Sequence, residues 1–331
     1  MNFDCVYYEP AVLDYPLGKQ LHEQFSALEW HPIDSHNRID EMISRPNSDF
    51  AKMKRHLILG VRKTHKYTEN HKISDFLVPY TSSGCSAMCL YCYLVCNYNK
   101  CSYLRLFVNR EQMLDKLIRT AQKSECPMTF EIGSNSDLVL ENTITGNLEW
   151  TILQFAQVGQ GRITFPTKFH QVEPLLNLNH GGKTIFRMSV NPQEIIQKIE
   201  LGTSPLEKRI DAANRMCEAG YPTGLLIAPV VLVDGWEKLY AELITQLADL
   251  LSPKLKRQLV VEIILMTYSN IHRFINQDAF PNVPELYDKN LMTGRARGKF
   301  GYNQKVRQRA EELLKAELAQ KLPEAKIAYI C

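Results

Sequence analysis

The 331-residue chain is expected to be an α/β protein: a partial (β/α)6 TIM-like barrel over residues 76–266, an N-terminal layer packed on it over residues 1–75, and a C-terminal extension with a basic hairpin over residues 267–331. Three observations predict this class. Apolar strand-like runs alternate repeatedly with amphipathic stretches, the pattern of strands that return through helices to one parallel sheet. A cysteine-rich turn follows the first run, at a strand end where barrel folds carry their chemistry. Apolar residues make up 45% of the chain, enough at this length for a full core.

The strand-like runs are 76–81, 128–132, 162–167, 184–190, 223–231 and 259–266. Helical periodicity falls between them, near 110–123, 143–157, 170–177, 206–219 and 235–250. After Asn303, a helix N-cap residue, Val306, Ala310, Leu313 and Leu314 share one helical face, and 326–330 reads as a closing strand. Residues 1–75 are mixed and loop-rich, with a basic stretch at 52–56 ahead of the apolar run 57–61. No internal repeat or low-complexity linker interrupts the chain.

No basic N-terminal region leads into an apolar stretch, and no apolar run reaches membrane-spanning length, so a cytoplasmic protein without membrane association is expected. Nine cysteines in such a setting read as metal ligands and reduced thiols rather than disulfides. A net charge of +3 decides nothing until the charges are placed.

Chemistry concentrates in residues 83–93 (SGCSAMCLYCY), where Cys85, Cys89 and Cys92 stand at C-x3-C-x2-C spacing. Thiolates suit iron–sulfur clusters, and a four-iron cubane normally takes four of them. Three leave one iron open to chelate the amino and carboxylate groups of S-adenosylmethionine, which on one-electron reduction yields a 5'-deoxyadenosyl radical. Tyr91, just before the third cysteine, suits packing near the adenine or shielding the cluster, and Gly84 lets the backbone turn into the loop. A zinc site ordinarily adds a second ligand pair, which is missing here. Unligated core thiols poorly explain three cysteines in a Gly/Ser turn.

Other segments admit two readings. Residues 130–137 (FEIGSNSD) follow the second strand and suit a ribose or amino group, or form an ordinary turn. Lys168 and Ser189 end the third and fourth strands, where a lysine holds a carboxylate or simply faces solvent. Between Asp288 and Glu311 lie Lys289, Arg295, Arg297, Lys299, Lys305, Arg307 and Arg309 with no acidic residue, interleaved with glycines, Phe300 and Tyr302. That pattern suits phosphate contact with base stacking, against the alternative of a solvated face. Cys96 and Cys101 extend the cysteine loop as hydrogen-atom donors or as thiols without a role.

With these residues in view, the chain resembles the spore photoproduct lyase family, radical S-adenosylmethionine enzymes that split 5-thyminyl-5,6-dihydrothymine in DNA back to two thymines. The likeness runs over almost the whole chain. It includes 9–18 (EPAVLDYPLG), 35–38 (SHNR), 60–64 (GVRKT), 85–94, 167–170 (TKFH), 180–184 (HGGKT), 202–206 (GTSPL) and 219–222 (AGYP).

The resemblance implies a [4Fe-4S] cluster on Cys85, Cys89 and Cys92, S-adenosylmethionine contacts at Ser136, Lys168 and Ser189, and an active-site tyrosine at Tyr93. It also implies a hairpin that enters DNA beside the lesion, giving Arg295, Arg297, Lys299 and Tyr302 as DNA contacts. The partners expected are damaged double-stranded DNA and a reducing donor such as flavodoxin or ferredoxin, for a monomeric lyase. The chain departs from the family in carrying Ser134 where many members have a hydrogen-donating cysteine, in having no cysteine in 67–72, and in reading EIILMTY at 262–268. The hairpin is also shorter. Because an O–H bond is much stronger than an S–H bond, Cys96 is the substitute donor. A divergent enzyme acting on another nucleotide-derived substrate is the alternative.

Overall fold

The computed structural model describes residues 2–97, 103–158 and 160–331. They fall into two compact units. The first comprises Met1–Met88, Tyr93–Phe165 and Asn177–Thr184, and the second Cys89–Cys92, Pro166–Leu176 and Ile185–Cys331.

In the first unit a five-stranded sheet runs in the order Glu29–Pro32, Cys5–Tyr8, His56–Gly60, Arg105–Phe107, Ser82–Ser83. The first four strands are parallel and the last is antiparallel. Every residue of His56–Gly60 is buried, as befits a central strand covered on both faces. The two-residue alternation of side chains sorts the core. Val6, Leu57, Leu59, Leu104 and Leu106 enter one cluster, while Tyr7, Ile58 and Tyr103 enter another with Met42 and Met53. The loop-rich layer expected at the N-terminus therefore contributes three strands to this sheet. Two of them span only four residues each, too short for alternation to stand out without their neighbours.

Glu9 ties this sheet together. Its Oε1 accepts from the His36 backbone N–H at 2.9 Å and lies 2.8 Å from His36 Nδ1, and its Oε2 accepts from Val61 N–H at 2.8 Å. Burial works against ionising this carboxyl, but the two backbone N–H groups and His36 hold its pKa below the ordinary carboxylate range.

The same unit places Thr129–Glu131 between Phe76–Leu77 and Arg162–Thr167, with Phe130 opposite both Phe76 and Ile163 in parallel register. The run expected at 76–81 is cut to two residues in this ladder. Past Val78 the chain leaves it, and Ser82–Ser83 pair antiparallel with Arg105–Phe107 instead. The helix Arg110–Lys123 has the limits predicted. That expected at 143–157 is two helices, Leu138–Thr145 and Asn147–Ala156, separated by Gly146 in the left-handed conformation at φ 63°. Asp137 caps the first by accepting from Leu140 N–H at 3.2 Å. The Asn142 side-chain oxygen accepts from the Leu148 and Glu149 N–H groups at 3.0 and 3.2 Å and caps the second.

The second unit holds four neighbouring parallel strands, Thr184–Val190, Thr223–Val230, Val260–Leu265 and Lys326–Ile330. The chain returns between them through Gln193–Lys198 and Leu206–Glu218, then Trp236–Leu250 and Pro253–Gln258, then Gln304–Lys321. The last helix starts as predicted, with the Asn303 side chain accepting from Val306 N–H at 3.0 Å, and it buries Ala310, Leu314 and Leu318. The helix expected at 170–177 is only a 3-10 turn, Glu173–Leu175. Pro174 disfavours α-helical backbone at the residue before it and supplies no N–H of its own. A small antiparallel sheet, Thr267–Ser269, Lys299–Tyr302, Met292–Arg295, forms the basic hairpin with one added strand.

Candidate active site

Within the first unit, the approach to the cysteine motif is held from several sides. Gly84 adopts φ 76° and donates its N–H to Asn135 O at 2.8 Å, making a bridge with Ser136. The Thr81 and Ser82 hydroxyls donate to one oxygen of buried Glu141 at 2.9 and 2.7 Å, and the Asn147 amide donates to the other at 2.7 Å. Burial raises the pKa of Glu141 despite these donors. Lys54, itself buried, donates from Nζ to Cys85 O at 2.7 Å.

The Cys85 sulfur accepts the Ala87 N–H at 3.4 Å, a contact that favours thiolate. Ser136 has its hydroxyl oxygen buried with no hydrogen-bond partner. Tyr93 is 51% exposed. Cys96 is half-buried on the short helix Leu94–Asn97, and Cys101 lies outside the described residues.

Within the second unit, the turn through Cys89 and Cys92 is clamped by the helix Asn270–Ala279. Asn276 Nδ2 donates to Leu90 O at 2.8 Å, and His272 Nε2 donates to Cys92 O at 3.0 Å. A carbonyl only accepts, so Nε2 carries the proton and Nδ1 accepts from the Ser269 hydroxyl at 2.9 Å. Burial pushes the His272 pKa down to about 4, in keeping with a neutral ring.

Tyr91, Lys168 and Ser189 come together in one buried network centred on Glu200. Lys168 Nζ lies 2.6 Å from both Ser189 Oγ and Ala228 O and 3.3 Å from Glu200 Oε1, and it sits 5.8 Å from the Tyr91 ring centroid. The Tyr91 hydroxyl donates to Glu200, Asn191 Nδ2 donates to it at 2.8 Å, and Arg209, wholly buried, pairs with its other oxygen at 2.7 Å. Burial strongly opposes charge on Glu200, yet Lys168 and Arg209 outweigh it and hold its pKa at about 2. Tyr91 moves the opposite way, pushed well up by burial and by the Glu200 charge.

Sequence reasoning missed Glu200, Asn191, Arg209, His272 and Asn276. The one available signal was the i, i+4 spacing of His272 and Asn276 flanking apolar Ile275 on a single helix face.

The basic hairpin exposes Arg295, Arg297 and Lys299. Its connecting residues include Arg297 at φ 62° and Gly298 at φ 67°. The left-handed conformation is uncommon for a residue with a side chain. Tyr302 requires correction as a DNA contact. It is only 5% exposed, and its hydroxyl accepts the Leu232 N–H at 2.8 Å. It anchors the hairpin base instead, opposite the buried Met292.

Among the described residues, no three His, Cys, Asp or Glu side chains gather as ligands of a single metal ion, and no helix is long and apolar enough to cross a membrane.

The chain is 32% identical to spore photoproduct lyase of Bacillus subtilis strain 168, covering 98% of this chain and 97% of that one. A solved cysteine-to-alanine variant of spore photoproduct lyase superposes with a TM-score of 0.92 at 29% identity, with both chains fully covered. Another, a double variant with bound AdoMet and dinucleoside spore photoproduct, gives 0.91 at 30% identity over 99% of each chain. The α/β partial-barrel class expected from the sequence is thus borne out. Since the family model described as "Spore photoproduct lyase" matches residues 1–331, the chain belongs to the spore photoproduct lyase family.

Proposed function

We propose that the protein is a radical S-adenosylmethionine lyase that reverses 5-thyminyl-5,6-dihydrothymine in damaged double-stranded DNA to two thymines. The observation that carries this reading is the full-length likeness to a spore photoproduct lyase solved with AdoMet and the dinucleoside photoproduct. In this reading residues 76–266 form the catalytic barrel and 267–331 the DNA-contacting extension.

The residues present suit the cofactors. Cys85, Cys89 and Cys92 would hold a [4Fe-4S] cluster, and the N–H donated to the Cys85 sulfur favours its ligating form. The buried, unpartnered Ser136 hydroxyl suits a polar group of S-adenosylmethionine, as do Lys168 and Ser189. The Tyr91 hydroxyl is committed to Glu200, which leaves its ring for the ligand. When bound, the cluster and S-adenosylmethionine supply a 5'-deoxyadenosyl radical.

The chain's own residues would do the rest. Arg295, Arg297 and Lys299 contact phosphates. Cys96, with its weaker S–H bond, returns a hydrogen atom to the product radical in place of Ser134, and Tyr93 serves beside it as the active-site tyrosine. A reduced flavodoxin or ferredoxin supplies electrons to a cytoplasmic monomer.

The test is anaerobic incubation of the reconstituted protein with S-adenosylmethionine, a strong reductant and the authentic dinucleotide photoproduct. Release of repaired dinucleotide with 5'-deoxyadenosine is expected, and absence of 5'-deoxyadenosine would refute the reading. Ser134, where a thiol is expected, favours one alternative, the same radical chemistry on another nucleotide-derived substrate. Formation of 5'-deoxyadenosine without repair would select it.

A further inference from the structure

We propose that Ile271 and Phe274 form an apolar wedge that enters the DNA duplex beside the lesion, which makes the exposed face of the helix Asn270–Ala279 part of the DNA-binding surface. The proposal deepens the photoproduct-repair reading and rests on it.

Phe274 is 60% exposed and Ile271 41%. Three residues apart, they share one helix face. The packed face of the helix is centred on the buried His272, Ile275 and Asn276, with Ile271 at its edge and Phe274 beyond it. Core formation therefore gives no reason for a phenylalanine and an isoleucine this exposed.

What lies beside them does. The helix begins where Thr267–Ser269 ends, and Ser269 is the register partner of Lys299 on the basic hairpin. At the hairpin loop, a Cβ on Gly298 would sit 3.5 Å from the side-chain nitrogen Nδ2 of Asn270. The cations Arg295, Arg297 and Lys299 and the first exposed turn of the helix are consequently neighbours. Cations that hold phosphates next to an apolar side chain make the arrangement by which proteins unstack a base step and kink the duplex. A damaged pair is cheaper to unstack than an intact one, and a dimer inside a duplex must leave the stack to be reached. A dinucleotide has no duplex to open, so the wedge acts on one substrate form only.

The cluster-loaded protein and its Phe274→Ala and Ile271→Ala/Phe274→Ala variants are compared on the dinucleotide photoproduct and on a duplex carrying the photoproduct beside 2-aminopurine. Both variants are expected to match the parent on the dinucleotide. On the duplex they should lose about ten-fold in rate, the scale of one base–aromatic contact, together with the 2-aminopurine fluorescence rise on binding. Phe274→Trp should restore both. Unchanged duplex repair and fluorescence would overturn the wedge. Equal loss on both substrates would overturn it too, as would a loss seen only when reduced flavodoxin replaces dithionite, which marks a protein-docking face. If the parent protein repairs neither substrate, the repair reading itself fails, while the fluorescence change still decides whether the helix opens duplex DNA.

Discussion

Glu200→Gln tests whether the buried network under Lys168 is held by charge. Glu200 is completely buried between Arg209 at 2.7 Å and Lys168 at 3.3 Å, and it also accepts from Tyr91 and Asn191. The substitution keeps the shape and removes the negative charge, leaving two cations with no counter-ion. Removing one partner of a buried ion pair costs about 3–5 kcal/mol.

The pKa gives an independent figure. A carboxyl taken from 4.5 to about 2 contributes about 3 kcal/mol to stability, at about 1.4 kcal/mol per tenfold change in proton affinity. The folded pKa is depressed, so this contribution is complete above the unfolded value near 4.5 and is lost as pH falls toward about 2. Urea unfolding of parent and variant should therefore differ by about 3 kcal/mol at pH 7 and by about half of that at pH 3. Carboxylates elsewhere weaken both proteins in acid, and the difference between the two isolates Glu200. A gap below about 1 kcal/mol at neutral pH, against the cost expected of a broken buried pair, would refute the electrostatic account. So would a gap that does not narrow in acid.

Three further outcomes are expected. Ser136→Ala should leave the unfolding free energy within about 0.5 kcal/mol of the parent or raise it, because the lost hydroxyl has no protein partner, while weakening S-adenosylmethionine binding about five-fold by calorimetry. Gly60→Ala would put a methyl 2.6 Å from His36 Nδ1. It should destabilise the protein by about 1–3 kcal/mol, read as a lower Tm. Tyr302→Phe strips the acceptor from the buried Leu232 N–H and should cost about 1–3 kcal/mol, with affinity for duplex DNA unchanged in a fluorescence-anisotropy titration.

Many of the longer elements in both units were legible in the sequence because they are long enough to show their period. The strands Arg162–Thr167 and Thr184–Val190 and the helix Arg110–Lys123 have the limits that apolar patterning indicates. The N-terminal sheet was not legible. Strands of four residues hold only two side chains per face, too few for alternation to stand out, and they become a sheet only by lying against His56–Gly60. Similarly, the single helix read over 143–157 ignored the left-handed glycine at 146 that divides it.

By itself the sequence determined what is local: three thiols at a spacing suited to a cubane, a run of cations around a turn, and the periodicity that commits each long segment to helix or strand. Only tertiary structure decided which polar groups meet. Tyr91 and Glu200 are 109 residues apart in the chain, and His272 lies 180 residues from the cysteine carbonyl it holds. Such partners leave no periodic trace, since a buried charge is settled by whatever counter-charge the fold brings within reach. The same holds for Tyr302, whose place inside the hairpin base goes with accepting the Leu232 N–H, 70 residues away in the chain.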